Sequence, residues 1–196
     1  EFSRRDIASV YQIAENKIDV VYSAAKEEYK PCSKEEIVAT KTRYTDSKDY
    51  FYFVGSLHKR KNLANLFRAF DLFKTETQSD VKLVIVGSKM WWKGEVAEAF
   101  EAMKYKDEVI FTSRLSTEEV NRIASASIAC MFVSLFEGFG VPPLEAFRSG
   151  TAAVVSDVTS MPEICGDAAL YADPLDPDAI KRAMMQLYSD PDLRQS

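Results

Sequence analysis

From residue 18 onward, two patterns of apolar and polar positions alternate along the chain. Short β-branched or aromatic runs at 18–22, 50–54, 81–86, 109–112, 128–133, 152–156 and 168–171 predict strands. Several are apolar almost throughout instead of alternating, as strands buried on both faces of a parallel sheet are. Between them the apolar spacing lengthens to three and four. Leu63, Leu66, Phe67, Phe70 and Phe73 predict a helix over 63–73, and similar patterns predict helices over 96–103, 117–125, 141–148 and 178–188. Alternating strands and helices imply right-handed crossovers. The expected architecture is a Rossmann-like three-layer α/β domain with a mostly parallel sheet.

Residues 1–17 read as an N-terminal remnant or linker, and 18–196 as the domain itself. The polar stretch 23–49 reads as a loop plus one short helix, with Ser33 as cap and Glu36 completing a capping box. It is long for a connection, so it is either an elaborated surface element or a place where a partner domain touches.

Composition narrows the class without naming a function. The 196 residues suit one domain, able to bury about 70% of its unfolded surface without a disulfide or metal staple. A net charge of −5 argues against a nucleic-acid binder driven by bulk charge. The three cysteines, Cys32, Cys130 and Cys165, form no CxxC pair and suit reduced thiols in a cytoplasmic protein. The single histidine, His58, has no ligand spacing around it, so no metal site is expected. The longest apolar stretch, 123–136, is broken by serines and too short to span a bilayer. No signal-peptide pattern opens the chain, and a start at Glu1 in place of Met points to a piece of something longer.

Two loops at predicted strand ends carry candidate chemistry. The first runs Val54-Gly55-Ser56-Leu57-His58-Lys59-Arg60-Lys61-Asn62 between a strand and a helix. Ligands of open parallel sheets bind beyond the carboxyl ends of strands, so the loop is well placed. Gly55 lets the chain turn, Asn62 is a plausible N-cap, and Arg60 and Lys61 add cations to the positive end of a helix dipole. That combination can grip a diphosphate. A solvated basic loop accounts for the same residues, and the Gly-rich GKS/T arrangement of a P-loop is missing.

The second loop is Phe136-Glu137-Gly138-Phe139-Gly140-Val141-Pro142-Pro143-Leu144-Glu145-Ala146. It follows a buried strand and opens a helix, with prolines where helix N-termini accept them. Gly138 and Gly140 strip side chains from the loop, exposing backbone N–H groups. Glu137 is expected in the loop and Glu145 in the first helical turn, both facing one crevice with their charged forms favoured. Carboxylates suit sugar and ribose hydroxyls because each accepts several hydrogen bonds. Helix steadying explains Glu145 alone, but not Glu137 or the glycines.

These residues resemble the E-x7-E signature of retaining glycosyltransferases of the group 1, or family 4, type, set in an EGFG-x-P-x-LEA run. Other landmarks follow in the family's order: Val54-Gly55-Ser56, Arg60-Lys61-Asn62-Leu63, 83–87, 109–112, Ser160-Met161-Pro162-Glu163, 166–169 and Asp173-Pro174. The resemblance covers roughly 18–193. It implies a GT-B fold of which this chain is the C-terminal, donor-binding half, with an N-terminal acceptor domain absent. It implies that Lys61, with Arg60, contacts the donor phosphates and that Glu137 faces the sugar hydroxyls. Gly55 and Ser56 lie along the donor; Gly138, Phe139, Gly140 and Val141 line the sugar and phosphate pocket; Glu145 binds the ribose; Arg114 and Leu115 belong to the loop beneath the base. Three departures stand out: Ser56 where arginine is common, leaving that charge to Arg60 or Lys59; Ser113 in place of glycine; and Thr151 in place of proline.

The implied reaction moves a sugar from a UDP-, GDP- or ADP-sugar to an acceptor with retained configuration. Fixed cations stabilise the leaving diphosphate in place of a divalent metal, and no D-x-D motif stands in a donor loop. The alternatives are a non-catalytic nucleotide-sugar binding module and a sugar-nucleotide epimerase of the same architecture. The expected partners are the nucleotide sugar and the acceptor domain, any membrane contact coming through that absent domain only. Trp91-Trp92 reads either as cleft lining or as surface packing, and His58 as a loop residue near the phosphates.

Overall fold

The computed structural model describes residues 1–88 and 92–195. Among them, in chain order, stand α1 (Phe2–Tyr11), α2 (Lys34–Thr45), β1 (Tyr50–Val54), α3 (Leu63–Thr77), β2 (Lys82–Val86), α4 (Glu95–Glu101) and β3 (Val109–Thr112). Then follow α5 (Thr117–Ala126), β4 (Ala129–Phe132), α6 (Val141–Arg148), β5 (Ala152–Ser156), α7 (Met161–Cys165), β6 (Leu170–Ala172) and α8 (Pro177–Ser189). The strands form one all-parallel sheet in the order β3-β2-β1-β4-β5-β6. This is the doubly wound three-layer arrangement expected, and its order reverses between β1 and β4.

The period of two that hydropathy conceals in β1 appears in its packing. Phe51 and Phe53 join one core cluster with Leu66, Phe67, Phe70 and Phe73 of α3 and Met184 and Leu187 of α8. Tyr50 and Tyr52 join the other, with Val120 and Ile123 of α5, Ala146 of α6 and Met161 of α7. The alternation continues across the sheet, Leu83 and Ile85 on the first face and Val84 and Val86 on the second. Both faces are covered, so an aromatic serves either side. The choice of tyrosine for the α5 face has a reason: the buried Tyr50 hydroxyl donates to the Ile123 carbonyl at 2.7 Å.

The capping box forms, with Ser33 Oγ accepting from Glu36 N–H and Glu36 accepting from Ser33 N–H. Three expectations change. The run at 18–22 belongs to no strand and lies toward the surface, with Val21 87% exposed; the edges of the sheet are β3 and β6. The run at 168–171 enters the sheet only at Leu170. The stretch 1–17, read as a linker, contains α1 and a short 3-10 turn at Glu15–Lys17. No helix among the described residues is long and apolar enough to cross a membrane.

The β1 and β2 ends are locked by two glycines. Gly55, at φ +151°, donates its N–H to the Val86 carbonyl at 3.0 Å. A Cβ on Gly87 would sit 2.1 Å from the Gly55 carbonyl oxygen, and neither backbone has room to give. Gly87→Ala is therefore expected to cost about 1–3 kcal/mol through overpacking, read as a lower urea midpoint at unchanged slope. A midpoint equal to that of the parent protein would show that the strand ends are free to separate.

Candidate functional site

Parallel strands send their connections to opposite faces on either side of the β1/β4 reversal, which opens a crevice at their carboxyl ends. The two candidate loops leave from these strands. The basic loop follows β1 and contains a 3-10 turn at Lys59–Lys61, whose first residue is preceded by His58; the His58 ring nitrogen Nδ1 accepts from Arg60 N–H. The glutamate loop follows β4. Leu135 N–H donates to the Arg60 carbonyl at 2.9 Å, joining the two loops by their backbones.

Side chains then close the gap. Lys61 Nζ donates to Glu137 Oε1 at 2.6 Å and lies 4.5 Å from the centre of the Phe132 ring. Arg60 reaches Glu137 Oε2 at 2.8 Å and the Phe136 carbonyl at 2.7 Å. The side chains of Glu137 and Lys61 are only 10% and 11% exposed, whereas Arg60 stays open at 41%. Burial pushes the Glu137 carboxyl up, but the hydrogen bonds and charge of Lys61 and Arg60 outweigh it and hold its pKa below the ordinary value. The fully buried Ser134 hydroxyl lies close enough to add to that lowering, yet makes no hydrogen bond of good geometry. Two cations share one carboxylate, so the cluster keeps a surplus positive charge. The third cation, Lys59, is exposed and turns away to Glu95, so of Lys59 and Arg60 it is Arg60 that meets Glu137.

The glutamate loop is held from behind by the segment before α7. The Ser160 hydroxyl is shared between the carbonyls of Glu137 and Phe139, at 2.9 and 2.8 Å, and Glu137 N–H donates to Thr159 Oγ1 at 3.3 Å. Gly140 takes φ +116°, and a Cβ there would press into the Met161 side chain. Residues read as a linker cover the loop from outside. Ser3 Oγ donates to the Gly138 carbonyl at 2.7 Å, and Phe2 meets Phe136 edge-on. Tyr22 reaches Glu163 with its hydroxyl at 2.7 Å and Phe139 with its ring. A cleft of about 220 Å³ remains between this segment and the loop.

Glu145 departs from expectation. It opens the second turn of α6, one residue past the first, so the helix end does little for its charge. Burial raises its pKa; a hydrogen bond from the Tyr29 phenol and the charge of Lys26 offset that only in part. Its partners differ from those of Glu137. Tyr29, almost wholly buried, is the site residue that the sequence hid, because it stands in a polar stretch with no periodicity.

The remaining predicted residues scatter. Ser56 and Arg114 are exposed, Arg114 beyond β3 and so two strands from β1. Leu115 packs against the α5-side core and Val141 is the first residue of α6. Asn62 makes no side-chain cap; it adopts φ +60° and donates to the carbonyls of Val133 and Pro174, bracing the back of the crevice. Thr151, where proline was the expectation, donates to the Ala124 carbonyl at the end of α5. Trp92 packs edge-on against Phe67, Phe100 and Phe111, while Trp91 lies outside the described residues. Among the described residues, no cluster of three or more His, Cys, Asp or Glu side chains is placed to hold a metal ion.

Sheet order, crevice and paired loops define a Rossmann-like domain of the kind that forms one half of GT-B glycosyltransferases. The chain belongs to the family Glycosyl transferases group 1, whose profile matches residues 34–196. It is 30% identical to the O-antigen chain mannosyltransferase B of Escherichia coli over 100% of this chain and 51% of that protein. It is similar in structure to Anabaena Alr3699/HepE, solved in complex with UDP and glucose, with a TM-score of 0.83 at 15% identity over 96% of this chain and 52% of that one. The C-terminal domain of a glycosyl transferase group 1 family protein (LpcC) from Francisella tularensis matches with a TM-score of 0.73 at 20% identity, covering 88% of this chain and 91% of that domain. The chain spans about half the length of the curated relatives it matches, 51% and 48% of the first two.

The Glu137 pair makes a pH-dependent contribution to folding. Its folded pKa lies below the ordinary 4.5, so the stabilisation is present above that value and lost as pH falls through the folded pKa. Lys61→Met leaves the buried carboxylate with the half-open Arg60 as its one cation and is expected to cost about 1–3 kcal/mol near neutral pH. The gap between the variant and the parent should narrow below pH 4.5. Urea titrations at a series of pH values would reveal it; a constant gap would contradict the pairing.

Proposed function

We propose that this chain is the donor-binding half of a retaining glycosyltransferase that moves a mannosyl group from a nucleotide diphosphate sugar to an acceptor held by a second domain. The observation that carries this reading is the Lys61–Glu137–Arg60 cluster across the β1/β4 reversal. Its surplus positive charge matches a diphosphate, and its carboxylate still has lone pairs for sugar hydroxyls. The mannosyl assignment rests on the relatives' names alone.

In the reaction so read, the bond between the anomeric carbon and the diphosphate oxygen breaks, and the departing oxygen gains negative charge. Lys61 and Arg60 lie where that charge develops, preorganised by Glu137, and so stabilise the transition state more than the bound donor. The acceptor hydroxyl attacks from the same face and gives its proton to the departing diphosphate. Glu137 accepts hydroxyl donors and orients the ring without acting as nucleophile, while Glu145 takes the ribose hydroxyls. The base rests toward Arg114 and Leu115. Free thiols at Cys32, Cys130 and Cys165, two of them buried, suit a cytoplasmic setting.

Calorimetric titration with UDP, GDP and ADP and their sugars tests the reading. One nucleotide series is expected to bind, and Lys61→Ala to weaken it by about tenfold or more, equivalent to ~1.4 kcal/mol. A folded protein that binds none of the six would overturn it.

A further inference from the structure

We infer that Thr159 is a positioning residue for Glu137: a strained turn before α7 holds its hydroxyl against the Glu137 backbone and so fixes where the carboxylate stands. The inference rests on the donor-binding reading above and extends it to a residue outside both candidate loops.

The strain is visible in the backbone. Thr159 has φ +61°. Ser160 follows at φ −84°, ψ −9°, and Met161 N–H donates to the Val158 carbonyl at 3.4 Å. A positive φ at the first central residue with these angles at the second is the type II′ pattern, in which glycine is the usual first residue. Among the described residues, Thr159 is the one β-branched side chain at positive φ, a conformation that such residues adopt only when the surroundings enforce it. Gln12, Asp46 and Gln78, also at positive φ, each close a helix. Thr159 closes none; its hydroxyl accepts from Glu137 N–H at 3.3 Å.

Glycine would take this turn without strain but has no hydroxyl. Threonine supplies the acceptor, and its branched Cβ restricts χ1, so the oxygen stays aimed. The next residue completes the grip. Ser160 Oγ, on a residue 2% exposed, is shared between the carbonyls of Glu137 and Phe139 at 2.9 and 2.8 Å. Adjacent hydroxyls thus hold both backbone polar groups of Glu137, one the N–H and the other the carbonyl. Met161, fully buried in the α5-side core, anchors the pair, and its side chain lies against Gly140 of the same loop. Lys61 and Arg60 meet the far end of the glutamate at 2.6 and 2.8 Å. With its main chain fixed on one side and its carboxylate on the other, Glu137 aims its remaining lone pairs at one set of sugar hydroxyls. If the turn served stability alone, relieving the strain would improve the protein outright; if it positions Glu137, the same change improves folding and impairs binding.

The test compares the parent protein with Thr159→Gly, Thr159→Val and Thr159→Ser. Each is titrated calorimetrically with UDP, GDP and ADP and with UDP-glucose, GDP-mannose and ADP-glucose, and each is melted. Thr159→Gly relieves the strain and removes the acceptor. Its melting temperature is expected to hold or rise while its affinity for the bound nucleotide sugar falls about tenfold. Affinity for the bare diphosphate should fall less, because Lys61 and Arg60 remain. Thr159→Val keeps the branched shape without the hydroxyl and should lose a similar affinity, whereas Thr159→Ser keeps the hydroxyl and should bind within about threefold of the parent. Affinity then follows the hydroxyl; a purely structural role would make it follow the melting temperature. Thr159→Gly or Thr159→Val binding nucleotide sugar as the parent does, or affinities that track the melting temperature across the series, overturns the inference alone. A parent protein that binds none of the six overturns the donor-binding reading, and this inference with it.

Discussion

The arrangement that everything else depends on is the reversal of strand order between β1 and β4. A parallel sheet buried on both faces must route every connection over one face or the other. On either side of the reversal those routes diverge, so the loops after β1 and β4 cannot cover each other. The gap they leave is filled by charge: two cations from one loop and one carboxylate from the other, backed by the Phe132 ring. Hydrophobic burial builds the sheet and its layers, and the layers leave a polar opening at one place.

Two carboxylates on the glutamate loop and the helix after it have their pKa values moved in opposite directions. Lys61 and Arg60 lower the pKa of Glu137, whereas burial raises that of Glu145. A carboxylate shared by two cations keeps them in place and screens part of their charge. The fully buried hydroxyls of Ser134, just past β4, and Ser156, the last residue of β5, make no hydrogen bond of good geometry among the described residues, and Ser134 adds to the lowering of the Glu137 pKa.

The segment before residue 23 is tied to the site as well as to the chain. Phe2, Ser3 and Tyr22 contact Phe136, Gly138 and Glu163, while Val10, Tyr11 and Val21 remain largely exposed. The first two curated relatives are covered by this chain over about half their length.

Much of the layout was legible in one dimension. Runs of aliphatic and aromatic residues with helical spacing between them implied a parallel sheet covered on both sides. Glycines beside charges marked the two loops. Pairings, however, are matters of distance. Nothing at 59–61 says that Lys61 and Arg60 turn inward while Lys59 turns out to Glu95. Nothing in the polar run before Pro31 says that Tyr29 is buried with its carbonyl held by Arg148 of α6. Asn62, a cap by position, bonds to Val133 and Pro174, far along the chain. Local periodicity records which face of an element is apolar, because burial acts on each residue separately. The partner of a charge or a hydroxyl depends on which distant segment folds beside it, and that is settled only when the sheet closes.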